Sequence, residues 1–234
     1  MRYWIKFSKD KELRFISHLD LLRSWQRALR RACLPVAYSA GFNPHPRLSF
    51  ASALPVGATS EAEYLDIFLT RPVSAEEWQR LQNTLPEGLV LLDWREVPVE
   101  IAALMSLIGA AGWLCEADEQ EQDVLAAAIQ QMLLSTTLSV ERSGKKGKKM
   151  LDLRPLLLRL ELCGRDVRMV LKMNQEGGAK PQEVLGALGL PAEAVRTHRI
   201  GLYLAVGKRL QSPLAVLWHK NEVAIDAQKD YYQL

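Results

Sequence analysis

The sequence predicts an α+β fold made of two successive β-α-β-β-α-β units, each with an antiparallel sheet, the ferredoxin-like order. Three observations lead to this prediction: strand-like alternation in each half, amphipathic helical segments between the strands, and the same element order repeated after residue 110. Apolar residues make up 48% of the 234 residues, which suits a globular core. We therefore expect one unit over residues 1–98 and another over residues 110–234.

The first unit begins with a strand over Tyr3–Ser8, where apolar and polar residues alternate. Ser17 and Asp20 have the spacing of a helix N-cap, and Pro35 ends the helix that follows. A second capping box, formed by Ser74 and Glu77, predicts another helix with Trp78, Leu81 and Leu85 directed inward. The remaining strands are predicted at Pro35–Ser39, Glu63–Thr70 and Leu89–Val97.

The second unit repeats this order from a strand at Gly112–Ala117 and a helix at Asp123–Leu134. A strand that starts at Leu138–Glu141 is interrupted by a basic loop. Two alternating runs on either side of a Gly164–Asp166 turn predict a hairpin. A short helix after Pro181 and a strand at Ile200–Val206 complete the unit.

Charge is unevenly distributed along the chain, although the net charge is only +3. Residues 1–50 hold 10 Lys and Arg against 3 Asp and Glu, and residues 142–172 have the same balance. Residues 51–141 hold 3 basic against 15 acidic residues. Such blocks favour a polyanionic partner, or alternatively pairing of the acidic and basic parts with each other.

The first predicted helix carries a row of arginines opposite its apolar face. Spacings of three and four place these side chains together without a neutralising acid, which suits phosphate oxygens, although a solvated face has the same pattern. The row consists of Arg23, Arg27, Arg30 and Arg31. His18 and Asp20 at the helix N-terminus are candidates for acid–base catalysis, with simple capping as the alternative.

The segment after this helix, Gly41–Arg47, places one histidine between two prolines. Because proline fixes φ, the loop is expected to be stiff and to hold its polar side chains in set directions. Asn43, His45 and Arg47 are candidate ligand-binding residues, and Phe42 is a candidate for stacking on a base. A structural turn is the alternative.

A second basic segment over residues 142–149 is expected to be a flexible, phosphate-tracking loop, unless it serves only solubility. Its candidate binding residues are Lys145, Lys146, Lys148 and Lys149, with Arg154 nearby. No zinc, P-loop or GxGxxG pattern is present, so no metal or cofactor site is predicted in the chain. Three dispersed cysteines, a polar N-terminus and short apolar runs favour a cytoplasmic protein with no membrane span.

Residues 15–67, from FISHLDLLRSWQRALRRACLPVAYSAGFNPHPRLSF onward, resemble the signature of a bacterial radical-SAM-associated protein family, a domain of unknown function. Segments 148–155 and 196–202 resemble later family motifs more loosely. The resemblance carries over to His18, Asp20, Arg23, Arg30, Gly41, Asn43, Pro44, His45, Pro46 and Ser49. It assigns no role to them.

The resemblance implies a separate cobalamin-type radical SAM partner, which would carry the iron–sulfur cluster and S-adenosylmethionine. We therefore expect a non-catalytic accessory protein that binds RNA or another phosphate-bearing substrate. Two alternatives are a metal-independent endoribonuclease using His18 and His45, suggested by a fold-level similarity to CRISPR-type RNA-processing endonucleases, and a protein-interaction scaffold.

Overall fold

The computed structural model describes residues 1–117, 122–144, 147–173, 178–191, 194–207, 209–219, 222–225 and 231–233. In these residues the chain has mixed α+β structure with five α-helices and a mostly antiparallel sheet. The α+β prediction is therefore confirmed. None of the helices among them has the length and apolarity needed to cross a membrane.

The first half contains two helices of ten or more residues and four strands of the main sheet. Its elements are β1 (Arg2–Lys9), α1 (His18–Arg31), β2 (Leu48–Phe50), β3 (Thr59–Phe68), α2 (Ala75–Thr84) and β4 (Leu89–Val97). Both predicted N-caps are confirmed: the Ser17 hydroxyl accepts the Asp20 N–H, and Ser74 forms a reciprocal box with Glu77.

A short helix and the start of a strand occupy the end of the expected connector near residues 98–110. The elements of the second half are α3 (Leu104–Leu107), β5 (Ile108–Glu116), α4 (Gln122–Leu134), β6 (Ser139–Gly144), β7 (Gly147–Asp152), β8 (Leu157–Cys163), β9 (Asp166–Lys172), α5 (Pro181–Ala187) and β10 (Thr197–Val206). Four short strands follow: β11 (Arg209–Gln211), β12 (Val216–His219), β13 (Glu222–Ile225) and β14 (Tyr231–Gln233).

One ten-stranded sheet runs through both halves in the order β4-β1-β3-β10-β5-β9-β8, with β2, β11 and β14 paired at its sides. Every pairing in it is antiparallel except that of β3 with β10, which joins the two halves. The parallel contact is short, with His198 opposite Thr59 and Arg199 opposite Ser60. Consequently the halves meet through few backbone pairs, and side chains must supply much of the junction.

Each half buries its own helices against the sheet. In the first half α1 and α2 pack on β1 and β3, and the Phe7 and Trp25 rings meet edge to face at 4.9 Å. In the second half Leu125 and Ile129 of α4 and Val184 of α5 belong to a core that includes the β5 and β9 side chains. The buried helix faces leave the arginine face of α1 outside.

The predicted strand at Pro35–Ser39 is wrong. The segment makes only isolated bridges, because Pro35 has no N–H and because Ala37 divides its backbone bonds between Phe68 and Arg47. Between α1 and β3 in the chain, the strand that pairs with β3 is β2, which follows the Gly41–Arg47 loop. The loop therefore connects α1 to β2.

The prediction of a flexible loop over residues 142–149 is also wrong for the residues that the structure describes. Residues 142–144 and 147–149 belong to β6 and β7, a hairpin that forms a separate two-stranded sheet. Val140 and Leu151 pack their side chains against the second core, which explains why the segment is ordered into strands. Lys145 and Lys146 lie outside the described residues.

Candidate functional site

The arginine row of α1 lies on the solvent side of the helix, opposite the buried face formed by Leu21, Trp25, Ala28 and Leu29. All four arginines, Arg23, Arg27, Arg30 and Arg31, are exposed. The expectation that no acid neutralises the row is wrong at its first position. Arg23 Nη1 lies 3.2 Å from Asp20 Oδ1, whereas Arg27 donates to the Ser24 hydroxyl, at 3.0 Å. The cationic charge is therefore concentrated toward the C-terminal half of the helix.

Of the two candidate catalytic side chains at the start of α1, Asp20 takes part in the helix cap and His18 packs against a neighbouring strand. The Ser17 hydroxyl donates to Asp20 Oδ2 at 2.7 Å, and that bond, together with Arg23, holds the pKa of Asp20 below its usual value. His18 is exposed, and its ring contacts Phe50 edge to face at 5.2 Å. These contacts fix the helix N-terminus beside β2.

The Gly41–Arg47 loop contacts the other end of α1. Tyr38 bridges to Pro46, and both line a small pocket of about 160 Å³ together with Gln26 and Arg30 of α1. The His45 N–H donates to the Ser39 hydroxyl at 3.0 Å, which ties the loop to itself. The loop and the arginine row therefore form one surface, here called the basic face.

Loop side chains on the basic face are directed to solvent. Phe42 is fully exposed, and Asn43 and His45 are exposed as well. The guanidinium carbon of Arg47 instead lies 3.9 Å from the centre of the Phe68 ring, on which Arg2 also stacks, so this charge is on the face of the sheet opposite α1. Proteins bind single-stranded nucleic acids with exposed aromatic rings, which stack on bases, and with cations, which contact phosphates; Phe42 and the arginine row offer side chains of both kinds.

The two histidines do not meet on this face. His18 lies beside Phe50, whereas His45 precedes Pro46, which shares a pocket with Gln26 and Arg30. At a rise of about 1.5 Å per residue, Gln26 is roughly 12 Å along the helix axis from His18. Pro46, the residue after His45, therefore lies by Gln26 and Arg30, whereas His18 lies at the N-terminus of the helix.

Basic residues of the second half are placed elsewhere. Lys148 and Lys149 lie exposed on the β6–β7 hairpin, and Lys148 Nζ is 2.7 Å from Glu141 Oε1. Arg154 donates to the carbonyls of Leu133 and Ser135 at the end of α4. Arg154 therefore serves to cap a helix, and the hairpin offers the two lysines as a separate basic patch.

Sequence reasoning missed a buried charged cluster at the junction of the two halves. Arg199 of β10 donates to both oxygens of Glu63 in β3, and Lys9 of β1 is buried close by. Burial lowers the pKa of both cations, and the charge of Glu63 opposes that shift. The only signal in the sequence was a charge within an apolar strand pattern, as at Glu63 before Tyr64 and Leu65. Among the described residues, no group of three or more His, Cys, Asp or Glu side chains is placed to hold a metal ion.

The fold and these surfaces define an α+β protein with an exposed basic face and a charged junction. A model of the family described as "Uncharacterized protein conserved in bacteria (DUF2344)" matches residues 2–181, so the chain belongs to this family. Among curated proteins no relative matches the chain.

One solved structure that resembles the chain is "Crystal Structure of a Cbf5-Nop10-Gar1 Complex", at 11% identity and a TM-score of 0.43. The alignment covers 86% of this chain and 47% of that chain, so this chain spans about half the length of the one it matches. A likeness this remote identifies no function.

Proposed function

We propose that the protein is a non-catalytic accessory module that binds single-stranded RNA, or another phosphate-bearing substrate, on its basic face. The observation that carries this proposal is the shared pocket of Arg30, Tyr38 and Pro46, which unites the arginine row and the stiff loop in one surface. Its exposed side chains contribute little to the core, so their placement suits a ligand outside the molecule.

The size of the face suits a short stretch of backbone. Arg23 and Arg31 are separated by about 12 Å along the helix axis, a length that three to four nucleotides cover at about 3.4 Å each. Phe42 offers an exposed ring for one base. Binding is favoured over cleavage by His18 and His45, because His18 lies at the N-terminus of α1 and the residue after His45 lies further along the helix.

We also infer that each half is a ferredoxin-like unit. The sheet order β4-β1-β3-β2 in the first half is repeated as β10-β5-β9-β8 in the second, with a helix in each crossover. In this interpretation the β6–β7 hairpin is an insertion in the second unit. The basic face then lies on the first helix of the first unit.

A salt titration tests the RNA proposal. With three to four phosphate contacts, the plot of log affinity against log salt concentration should have a slope of about −2 to −3 for a single strand. The Arg27→Gln/Arg30→Gln double variant should reduce the steepness of that slope by about 1.4. The matched control, Arg165→Gln/Arg196→Gln, removes two exposed arginines outside the face and should leave the slope unchanged.

The contribution of the Phe42 ring to RNA binding is tested by comparing two alanine variants. Phe42→Ala should weaken RNA binding by about 1–3 kcal/mol, the range for loss of one stacked base. Phe15→Ala removes another exposed ring, 68% accessible, that is not on the basic face, and should have no effect. Equal losses for both rings, or a flat salt slope, would show that the basic face does not bind RNA.

The partner that we propose is a separate cobalamin-type radical SAM enzyme, which would bring the iron–sulfur cluster and S-adenosylmethionine. Support for it comes from the resemblance of residues 15–67 and not from the surface geometry. Co-purification of the two proteins should be lost after RNase treatment if RNA connects them. Co-purification that survives RNase, and that the Arg27→Gln/Arg30→Gln variant retains, would favour the scaffold alternative instead.

A further inference from the structure

An open cleft of about 670 Å³ lies between the two halves, away from the basic face. The 53–56 segment forms one side, while β5 and the 178–182 segment form the other. Its volume is in the range of small-molecule sites, and much of its lining is apolar, including Leu54, Val56 and Trp113. Polar groups at defined points would give such a cleft its specificity.

One of those groups is Arg199, which lines the cleft and is 2% exposed. Its Nη2 donates to the Ala53 carbonyl at 2.9 Å, and its guanidinium carbon lies 4.7 Å from the Trp113 ring centre. Its Nε has no hydrogen-bond partner among the described residues. A buried donor left in this state is costly, since such groups are nearly always satisfied.

The charges behind the cleft do not balance. Lys9 and Arg199 are both buried, and among the described residues the carboxylate that interacts with both is that of Glu63. Lys9 Nζ donates to the carbonyls of Arg14 and Ala58, which carry no formal charge. The cluster therefore has a formal charge of +1 in a region of low dielectric, where an anion nearby is strongly favoured.

Two more cations line the rim. Lys180 is exposed, and Arg142 uses its Nε and Nη2 to bind Glu183 at 2.6 Å. Within the described part of the chain, Nη1 of Arg142 makes no hydrogen bond. In the described part of the chain, neither Glu63 nor Glu183 lines the cleft. The rim thus carries two cations against one carboxylate, that of Glu183, which also accepts the Lys180 N–H at 2.8 Å.

We propose that this cleft binds a small organic anion, with a phosphate or carboxylate head near Lys180 and Arg142 and an apolar body along Leu54 and Val56. The positive charge of the buried cluster of Arg199, Lys9 and Glu63 attracts the anion electrostatically. This site is separate from the basic face, and it takes a small molecule where the face takes a polymer backbone.

Calorimetric titration of the full chain tests the proposal with three probes that share a phenyl ring: phenyl phosphate, phenylacetate and neutral 2-phenylethanol. At least one of the two anions should bind with one-to-one saturation, and the alcohol should not. Comparison of the two anions identifies the preferred head group. Inorganic phosphate, which lacks the apolar body, should bind more weakly than phenyl phosphate.

Lys180→Gln should weaken binding of the preferred anion roughly tenfold or more, as expected for loss of a hydrogen bond to a charged group. Arg142→Gln should weaken binding to a similar extent. If the Arg142→Gln variant fails to fold, Lys180→Gln alone tests the proposal. Lys11→Gln, an exposed lysine outside the cleft, should leave affinity unchanged. The proposal is overturned if neither anion saturates, if the alcohol binds equally well, or if Lys180→Gln and Lys11→Gln have the same effect.

Discussion

Arg199 and Glu63 form a buried ion pair across the parallel contact of β3 with β10, which joins the two halves of the main sheet. Arg199 Nη1 lies 2.9 and 3.1 Å from the two carboxylate oxygens of Glu63, and both side chains are 2% exposed. The residues are 136 positions apart in the sequence. Since β3 and β10 share two backbone register pairs, side chains carry much of this junction, and the ion pair adds to the bonds of Thr59 with His198 and of Ser60 with the Arg199 carbonyl.

Breaking the pair on one side should destabilise the fold strongly. Arg199→Met leaves the Glu63 carboxylate buried without its partner, and such changes typically cost about 3–5 kcal/mol in the free energy of unfolding. Urea denaturation near neutral pH measures this loss. The Arg199→Met/Glu63→Leu double variant should recover part of it, because the buried Glu63 charge is then absent and Lys9 keeps its two carbonyl partners. A single variant that loses less than about 1 kcal/mol would contradict the assigned role.

Much of the secondary structure followed from patterns local in sequence. Alternation predicted β1, β3 and β4, and the capping serines at Ser17 and Ser74 predicted where α1 and α2 begin. These features depend on residues at most a few positions apart, so one sequence contains all the information required. The exposed side of α1 was predictable for the same reason.

Features that depend on distant partners were not predictable in this way. Pro35–Ser39 has the composition of a strand, but its backbone groups are divided between Phe68 and Arg47 and leave no continuous ladder. The cleft is also absent from local patterns, since its cations come from segments around residues 142, 180 and 199. The shared pocket of Pro46 and Arg30 likewise depends on the path of the loop.

Gly201 has a steric requirement that can be tested by a double-mutant cycle. A Cβ at this position would lie 2.0 Å from the Tyr203 hydroxyl oxygen and 2.1 Å from its Cζ. Gly201→Ala should therefore force the Tyr203 ring to move and cost about 1–3 kcal/mol of stability. Denaturant unfolding should show that Gly201→Ala is much less harmful in a Tyr203→Leu background. Strict additivity of the two changes would exclude this contact as the cause.

Glu77 should make stability depend on pH in the acidic range. Hydrogen bonds from Arg71 and from the Ser74 N–H lower the pKa of this carboxyl from 4.5 to about 2. Because the folded pKa is the lower one, the stabilisation is complete above about pH 4.5 and is lost as the pH falls toward about 2. Melting temperatures of wild type and Glu77→Gln should differ at neutral pH and converge near pH 2. A gap that stays constant over this range would rule out ionisation of Glu77 as its source.

The three cysteines should separate into two reactive thiols and one protected thiol. Cys33 and Cys163 are exposed, whereas Cys115 is fully buried in β5. Burial, with a smaller contribution from the charge of Asp166, raises the pKa of the Cys115 thiol to about 12. Because the thiolate is the reactive form, Cys115 lacks both access and ionisation at mildly alkaline pH.

Iodoacetamide treatment of the native protein should therefore add two carbamidomethyl groups by intact-mass spectrometry, and treatment in urea should add three. Peptide mapping should assign the third group to Cys115. The Arg199→Met variant provides a further check, because a loosened junction beside β5 should increase the rate at which Cys115 reacts. Rapid labelling of Cys115 in the folded wild-type chain would instead mean that β5 opens without disruption of the Arg199–Glu63 pair.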